Sequence, residues 1–429
     1  MAAGVNPADT ICALSSGRPP AAVAIVRTSG PNAFAAAERL AGTLPEARRA
    51  SLRRIEDPRD GSPIDEVLIL RFDAPHSATG ENIVEYQCHG GRATVDALLA
   101  ALIAQPGVRL AEPGEFTRQA LANGRIDLTE AEGLADLLAA ETELQRRSAL
   151  ARAGGGLRAR LDRWRDRLLM LAARAEVAID YADEEEGVAP DPRLGADIRA
   201  LSSEMEELLA APRVEPLRDG VRVVVAGSPN AGKSSLVNAL AQSEKAIVTH
   251  IPGTTRDVIE VPIAIDGVPF VLVDTAGLRD SDDVVESIGI DRARQEAERA
   301  DLLLWLGSPD ETPDHAGLIE ISAKSDLEEK GRGLRVSAVT GEGLSLLASE
   351  LVAQARRLLP KADELALDRR QYDLLDEARS ALARATGLVD SVLVAEELRT
   401  ARFAIDRISG RAGVEDLLDA LFGRFCLGK

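Results

Sequence analysis

The segment Gly227-Ser-Pro-Asn-Ala-Gly232-Lys233-Ser234 restricts what this chain can fold into more than any other. The apolar run Val221-Arg-Val-Val-Val-Ala226 precedes it and a helix-forming stretch over residues 233–241 follows, the strand–loop–helix setting that makes a glycine pattern a phosphate-binding loop. Glycines there let successive backbone N–H groups converge on phosphate oxygens, and the helix N-terminus adds a dipole that favours negative charge. Lys233 brings a point charge to the β- and γ-phosphates of a nucleotide, and the Ser234 hydroxyl is a ligand for the Mg2+ that bridges them. Asn230, Ala231, Gly232 and Ser235 complete this nucleotide-binding loop. The alternative is a glycine turn opening an ordinary helix, and the correctly placed strand and helix weigh against it.

Two further segments follow at the spacings of a GTPase. The loop Pro252-Gly253-Thr254-Thr255-Arg256-Asp257 offers hydroxyls beside a Pro-Gly pair, with Thr249, His250 and Ile251 just before it counted among the nucleotide contacts, and Asp274-Thr275-Ala276-Gly277 follows a strand ending at Val273. Together they read as switch segments: Asp274 holds the magnesium through water and Thr255 ligates it directly while the γ-phosphate is present, so hydrolysis releases both.

Base recognition is less regular. A guanine-reading loop normally carries Asn-Lys-x-Asp, whereas this chain has Ala323-Lys324-Ser325-Asp326. Asp326 can accept from the guanine ring N–H and exocyclic amine, a charge-assisted pair that adenine cannot offer, and Lys324 packs along the base plane. The Asn contact is lost. Ser337, Ala338 and Val339 follow the last strand and can present a backbone N–H to the guanine oxygen, so GTP is the expected nucleotide, with weakened affinity. An acidic surface loop is the bland alternative. Leu278 stands where small GTPases often have a water-orienting Gln; Glu286, on the segment before the next helix, either positions that water or is a solvated surface carboxylate.

Around this segment the chain has three textures. Residues 1–122 hold short apolar runs broken by Gly and Pro, with strands expected at 21–27 and 67–72 and helices at 32–40 and 93–103, a small α+β domain. Residues 123–215 and 361–429 are rich in Ala, Leu, Arg and Glu at helical spacing and form one helical domain in two parts. Between them, residues 216–360 alternate strand and helix as an inserted parallel α/β domain: strands at 221–226, 259–265, 270–273, 302–306, 318–321 and 334–336, helices at 233–241 and 288–300. The connection at 307–317 carries two prolines and is too short for the usual crossover helix, so a reduced connection is expected.

With 45% hydrophobic and 28% charged residues the chain has the proportions of a folded globular protein, and 3% aromatics leave its cores to aliphatic residues. A formal charge of -19 argues against a surface that neutralises a nucleic-acid backbone unaided, so an RNA role needs a partner. Cys12, Cys88 and Cys426 are scattered and odd in number, which gives no disulfide framework or metal motif and fits a reducing compartment. No window of about 18 apolar residues and no signal-peptide layout appear, so a cytoplasmic protein with no membrane partner is expected.

Longer stretches resemble the MnmE (TrmE) family of tRNA-modification GTPases. They are GSPNAGKSSLVNAL from Gly227, GTTRD from Gly253, DTAGLR from Asp274, the VExxGI segment from Val285, the tail Phe425-Cys-Leu-Gly-Lys429, and AVAIVRTSG, ENIVEYQCHGG, AEPGEFTRQALANGRIDL and AEGLADLL nearer the N-terminus. The resemblance implies a homodimer whose N-terminal domains bind 5-formyltetrahydrofolate or a related tetrahydrofolate through Arg27, Glu85, Arg125 and Lys429. It implies K+ held by Asn230, Thr249, Ile251 and Thr254, and Glu286 as the catalytic glutamate. Arg125 falls where Lys is also seen, which keeps the charge but changes the geometry. It further implies a flavoprotein partner, MnmG (GidA), in a heterotetramer or larger complex that adds an aminomethyl-type group, carboxymethylaminomethyl, to C5 of the wobble uridine of certain tRNAs. FAD and NADH would belong to that partner. A regulatory ribosome-assembly switch is the competing reading, but such proteins usually carry a basic RNA-binding appendage, and the helical flanks here are acidic or neutral.

Overall fold

The structure is a computed structural model that describes residues 9–180, 191, 193–243, 246–248, 259–275, 295–327, 332–361, 364–412, 418, 421–423, 425 and 428. It divides into two compact units, residues 1–135 with 409–429, and residues 136–408.

The first unit is built on a six-stranded sheet of β1 (Thr10–Leu14), β2 (Val23–Ser29), β3 (Ser51–Glu56), β4 (Pro63–Phe72), β5 (Ile83–His89) and β6 (Val108–Leu110), in the order β3-β4-β5-β2-β1-β6. All neighbours are antiparallel except β1 and β6. Side chains alternate across the pleat. Cys12, Val26, Val84 and Tyr86 enter a core with α1 (Ala33–Ala41) and α2 (Arg92–Ile103), through Ala37, Leu98 and Leu102. The opposite face carries Ala13, Arg27 and Glu85 in register, and there Ile11 and Ala13 pack against Phe116 of α3 (Glu115–Ala122). The sequence reading located β2, β4, α1 and α2 but not β1, β3, β5 or β6, whose short or mixed runs carry little periodic signal.

The chain's last residues group with this unit, whereas texture alone joins them to the second helical block. Leu421, Phe422 and Phe425 form a small core with Leu128 and Ala131 of α4 (Leu128–Ala139). Gly114, at φ +72°, has the Phe422 carbonyl oxygen only 2.7 Å from where a Cβ would lie, so the tail backbone fits where glycine leaves room.

The second unit contains a helical bundle and the inserted α/β segment. After α5 (Glu143–Ala153), whose N-terminus is closed by a Thr142–Gln145 capping box, the bundle comprises α6 (Gly156–Asp180), α7 (Leu194–Leu209), and two helices from beyond the insert, residues Arg369–Ala385 and Ser391–Ile408. Leu161, Trp164, Leu168, Leu201, Leu375, Leu382, Leu398 and Ile405 share one core, so the two helical blocks do pack together as expected. The insert enters through α8 (Glu215–Arg218) and leaves after the helix Leu344–Leu358; its ends are joined where Val214 N–H donates to Leu367 C=O at 3.1 Å.

Within the insert, β7 (Val221–Gly227), β8 (Ala246–Val248), β9 (Ile259–Ile265), β10 (Val268–Asp274), β11 (Leu302–Leu306), β12 (Leu318–Ala323) and β13 (Leu334–Val336) form a sheet in the order β13-β12-β11-β7-β10-β9-β8. β13, β12, β11, β7 and β10 run parallel, but β9 is antiparallel to β10 and β8 to β9, so an expected all-parallel sheet is in fact mixed at one edge. The reason is local: Asp266 and Gly267, both at positive φ, make a two-residue turn that forces a hairpin. The short connection from β11 to β12 contains only a 3-10 turn, Pro309–Glu311, as its length required. Of the helix expected over 288–300, residues 295–298 are helical and 288–294 lie outside the described residues.

Leu375 lies in the bundle core with none of its surface exposed. Truncating it by Leu375→Ala removes packing and leaves a cavity, a change that costs about 2–5 kcal/mol in comparable cores. In a Trp305→Phe background, where buried Trp164 is the reporter, the urea midpoint of the fluorescence transition is expected to fall clearly below that of the parent.

Candidate nucleotide site and a second polar cluster

The loop between β7 and α9 (Lys233–Ala241) is shaped by three residues at positive φ. Gly227 has φ +142°, and a Cβ there would lie 2.4 Å from the Leu306 carbonyl carbon, so β7 and β11 approach too closely for any side chain. Asn230 has φ +58°, a region Asn enters more readily than most residues, and Gly232 caps α9 at φ +97°. Lys233 is buried, and its Nζ donates to the carbonyls of Gly227 at 3.1 Å and Ser228 at 2.9 Å, which folds the ammonium over the loop. Ser234 and Ser235 follow in the exposed first turn of α9.

β10 delivers Asp274 next to this loop. Its register partner in β7 is Val225, and the carboxylate residue is only 3% exposed. Thr275 Oγ1 donates to the Val225 carbonyl at 2.8 Å, pinning the start of the second expected switch segment to the phosphate-loop strand. Ala276, Gly277, Glu286 and the whole stretch Thr249, His250, Ile251, Pro252, Gly253, Thr254 and Thr255 lie outside the described residues.

The base-reading loops sit at the C-terminal ends of β12 and β13. Lys324, at φ +57°, donates through Nζ to the Asn230 carbonyl at 2.8 Å and so ties its loop to the phosphate loop. Asp326 Oδ1 accepts from Ser337 Oγ at 2.5 Å, while that hydroxyl accepts from the N–H groups of Val339 at 3.3 Å and Thr340 at 3.1 Å. One proton given and two received uses the whole capacity of the buried hydroxyl. The Ser337 N–H is itself spent on the Glu342 carbonyl at 2.9 Å, which leaves Ala338 rather than Ser337 as the residue in this turn for an amide contact to a base. Asn230, Lys233, Asp274, Lys324, Asp326 and Ser337, the described residues expected from sequence to serve the nucleotide, lie at or just beyond the C-terminal ends of β7, β10, β12 and β13. That expectation missed a further residue of this end, Glu342, whose signal was only the glycines on either side of it.

A second cluster belongs to the first unit. Arg27 and Glu85 are register partners on β2 and β5, and Nε and Nη2 of Arg27 donate to Glu85 Oε1 at 3.0 and 2.6 Å. The guanidinium also lies 5.8 Å from the Phe116 ring centroid, a cation–π distance that no motif announced. Arg125 Nε donates to the Ser77 carbonyl at 3.1 Å, and on the same loop Thr79 Oγ1 bonds Ser29 Oγ at 2.7 Å. Because Ser29 and Arg27 share a face of β2, the loop that Arg125 grips is anchored beside the Arg27–Glu85 pair. Glu81, also on that loop, has a buried Oε2 with no partner among the described residues, and burial pushes its carboxyl above the ordinary range. Lys429 lies outside the described residues.

The family model for the GTP-binding protein TrmE N-terminus matches residues 10–125, and that for the MnmE helical domain matches residues 128–426. The tRNA modification GTPase MnmE of Erythrobacter litoralis is 54% identical over 98% of this chain and 100% of its own, and that of Novosphingobium aromaticivorans is 52% identical over 98% and 100%. Among solved structures, the G domain of the T. maritima FeoB iron transporter is 27% identical over 32% of this chain and 98% of that one, with a TM-score of 0.23. With both family models matched in order and identity above one half along nearly its whole length, the chain belongs to the MnmE (TrmE) family of tRNA modification GTPases.

Proposed function

We propose that this chain binds and hydrolyses GTP as the GTPase subunit of a complex that modifies the wobble uridine of tRNA. The observation that carries the reading is the buried Lys233 ammonium, folded over a loop that ends at the N-terminus of α9, with Asp274 on the strand beside it. In that reading the Lys233 ammonium exchanges its two carbonyl partners for phosphate oxygens when the nucleotide enters. The hydroxyls of Ser234 and Thr255 are hard oxygen donors of the kind that suit Mg2+, and Asp274 would hold the ion through water. The ion's contribution is to neutralise charge on the β- and γ-phosphate oxygens. Asp326 reads the guanine edge through its remaining acceptor sites while Ser337 holds the carboxylate still. Ala231, Gly232 and Ser235 supply backbone or hydroxyl contacts around the phosphates.

Glu286 is assigned the hydrolytic role: its carboxylate orients a water for attack on the γ-phosphorus, and the bond to the β–γ bridging oxygen breaks. Support comes from Leu278 in place of a Gln and from the family resemblance of the Val285 segment. K+ held by Asn230, Thr249, Ile251 and Thr254 belongs to the same reading; the left-handed backbone of Asn230 is compatible with that duty. In the first unit, Arg27, Glu85 and Arg125, with Lys429, are assigned to a tetrahydrofolate of the 5-formyl type. The residues fit such a group, since a carboxylate next to a cation and an aromatic ring suits an amino-pyrimidine edge, and the unpartnered Glu81 Oε2 leaves polar capacity on the adjoining loop. A homodimer, the flavoprotein MnmG and a cytoplasmic location complete the proposal. Among the described residues no helix is long and apolar enough to cross a membrane.

Three experiments test these assignments. Lys233→Ala is expected to abolish saturable, Mg2+-dependent retention of guanine nucleotide, and cells carrying only that variant should lose the modified wobble nucleoside; a normal nucleoside profile would separate this chain from tRNA modification. Glu286→Ala should keep nucleotide affinity while single-turnover hydrolysis drops by about 100-fold or more, the range a positioned acid–base group supplies. Hydrolysis by the unsubstituted protein should run faster in KCl than in NaCl at equal ionic strength, and equal rates would remove the potassium assignment.

A further inference from the structure

Ala323 stands where guanine-reading loops usually have Asn, and its methyl group has nothing with which to bond the neighbouring loop. The two base-reading loops are joined nonetheless. Ser325 Oγ donates to Glu342 Oε2 at 2.8 Å, and Ser325 is 7% exposed, so its hydroxyl depends on that acceptor. Glu342 holds the second loop as well, by its backbone: its carbonyl accepts from Ser337 N–H at 2.9 Å. One residue therefore contacts both loops, reaching the first with its side chain and the second with its main chain.

The surrounding backbone fixes Glu342 in place. Gly343 has φ +76°, and a Cβ there would fall 2.0 Å from the Arg335 carbonyl oxygen, so the turn after Glu342 lies directly on β13. Arg335 Nη2 donates to the Ser325 carbonyl at 3.2 Å, and Ser325 N–H to the Val336 carbonyl at 3.3 Å. Asp326 is the next residue after Ser325, and its Oδ1 is already held by Ser337. A shift of Ser325 away from the Ser337 turn would carry the Asp326 carboxylate with it.

We propose that Ser325 and Glu342 form a clasp that does the work of the missing Asn, making Glu342 a positioning residue for guanine specificity. It acts through Asp326 and touches no nucleotide atom itself. The proposal rests on the GTP-binding reading given above and deepens it. It commits to a ligand feature: the guanine exocyclic amine, which Asp326 can accept from and which inosine nucleotides lack.

The test is the ratio of GDP to IDP affinity of the full-length protein, with ADP as a control. Glu342→Ala and Ser325→Ala should each shrink the GDP preference over IDP by about 5- to 10-fold, a partial loss of one hydrogen bond to a charged acceptor. The double variant should be little worse than either single one, because both break the same contact. Adding Ala323→Asn to Glu342→Ala should recover the preference, and Glu342→Gln, which keeps an acceptor oxygen, should lose less than Glu342→Ala. A merely structural role would weaken GDP and IDP together and leave their ratio unchanged; that result, or an unchanged ratio with unchanged affinities, overturns the clasp. Failure of the unsubstituted protein to bind GDP at all would instead bring down the parent reading, and this proposal with it.

Discussion

β7 has to end against β11 with no side chain between the two backbones, and the nucleotide end of the inserted sheet is organised by that contact. At Gly227 even a methyl group would overlap the Leu306 carbonyl, so this residue has only hydrogen at its α-carbon and takes a φ that other residues resist. The chain then turns sharply enough for Lys233 to fold back onto the carbonyls of Gly227 and Ser228. Everything downstream is placed relative to this turn: Asp274 by its register with Val225, and Lys324 by its bond to Asn230. Close approach of two backbones is thus the physical origin of the site, and the polar residues are arranged around it.

Charge in the helical part follows a different logic. Arg152 is almost fully buried and pairs with Asp136, with Asp368 within 3.8 Å, and the same carboxylate of Asp368 caps the helix Arg369–Ala385. Burial raises the Asp136 carboxyl even though Arg152 and Arg218 oppose the shift. Removing one member would strand the other in a region of low polarity, which is usually far more damaging than replacing the whole cluster with apolar groups. Such a group is better read as fixing how Asp136, α5 and the helix Arg369–Ala385 meet within the second unit than as a large net source of stability.

Much of the insert was legible from sequence because its strands are short apolar runs between strong breakers. Residues 233–241, 259–265, 302–306 and 334–336 were bounded as the structure has them. The antiparallel pairing of β9 with β10 was legible in the Asp266-Gly267 pair between two apolar runs, a hairpin signal that a parallel reading passes over, whereas three-residue β8 leaves no pattern of its own. In the first unit β3 and β6 are edge strands with exposed residues such as Leu52 and Leu110, so the alternation that marks a half-buried strand is weak there. For the candidate site, motif spacing identified residues that act through their own side chains. It could not reveal Glu342, which matters through a main-chain carbonyl and a bond to a serine 17 positions away. Nor could it reveal Phe116 under Arg27, because contacts between distant segments leave no local pattern.

The hydrogen bond from Val214 to Leu367 sets how the insert is mounted. Its entering and departing chains meet at one place beside the bundle. That seam is joined by a second attachment: Gln145 of α5 donates through Nε2 to the Arg218 carbonyl at 3.1 Å, and Leu144 packs against the core of the insert. The insert is thus braced by α5 as well as tied at its two ends, so a change at Leu144 or Gln145 would disturb its footing without touching the Trp164 core.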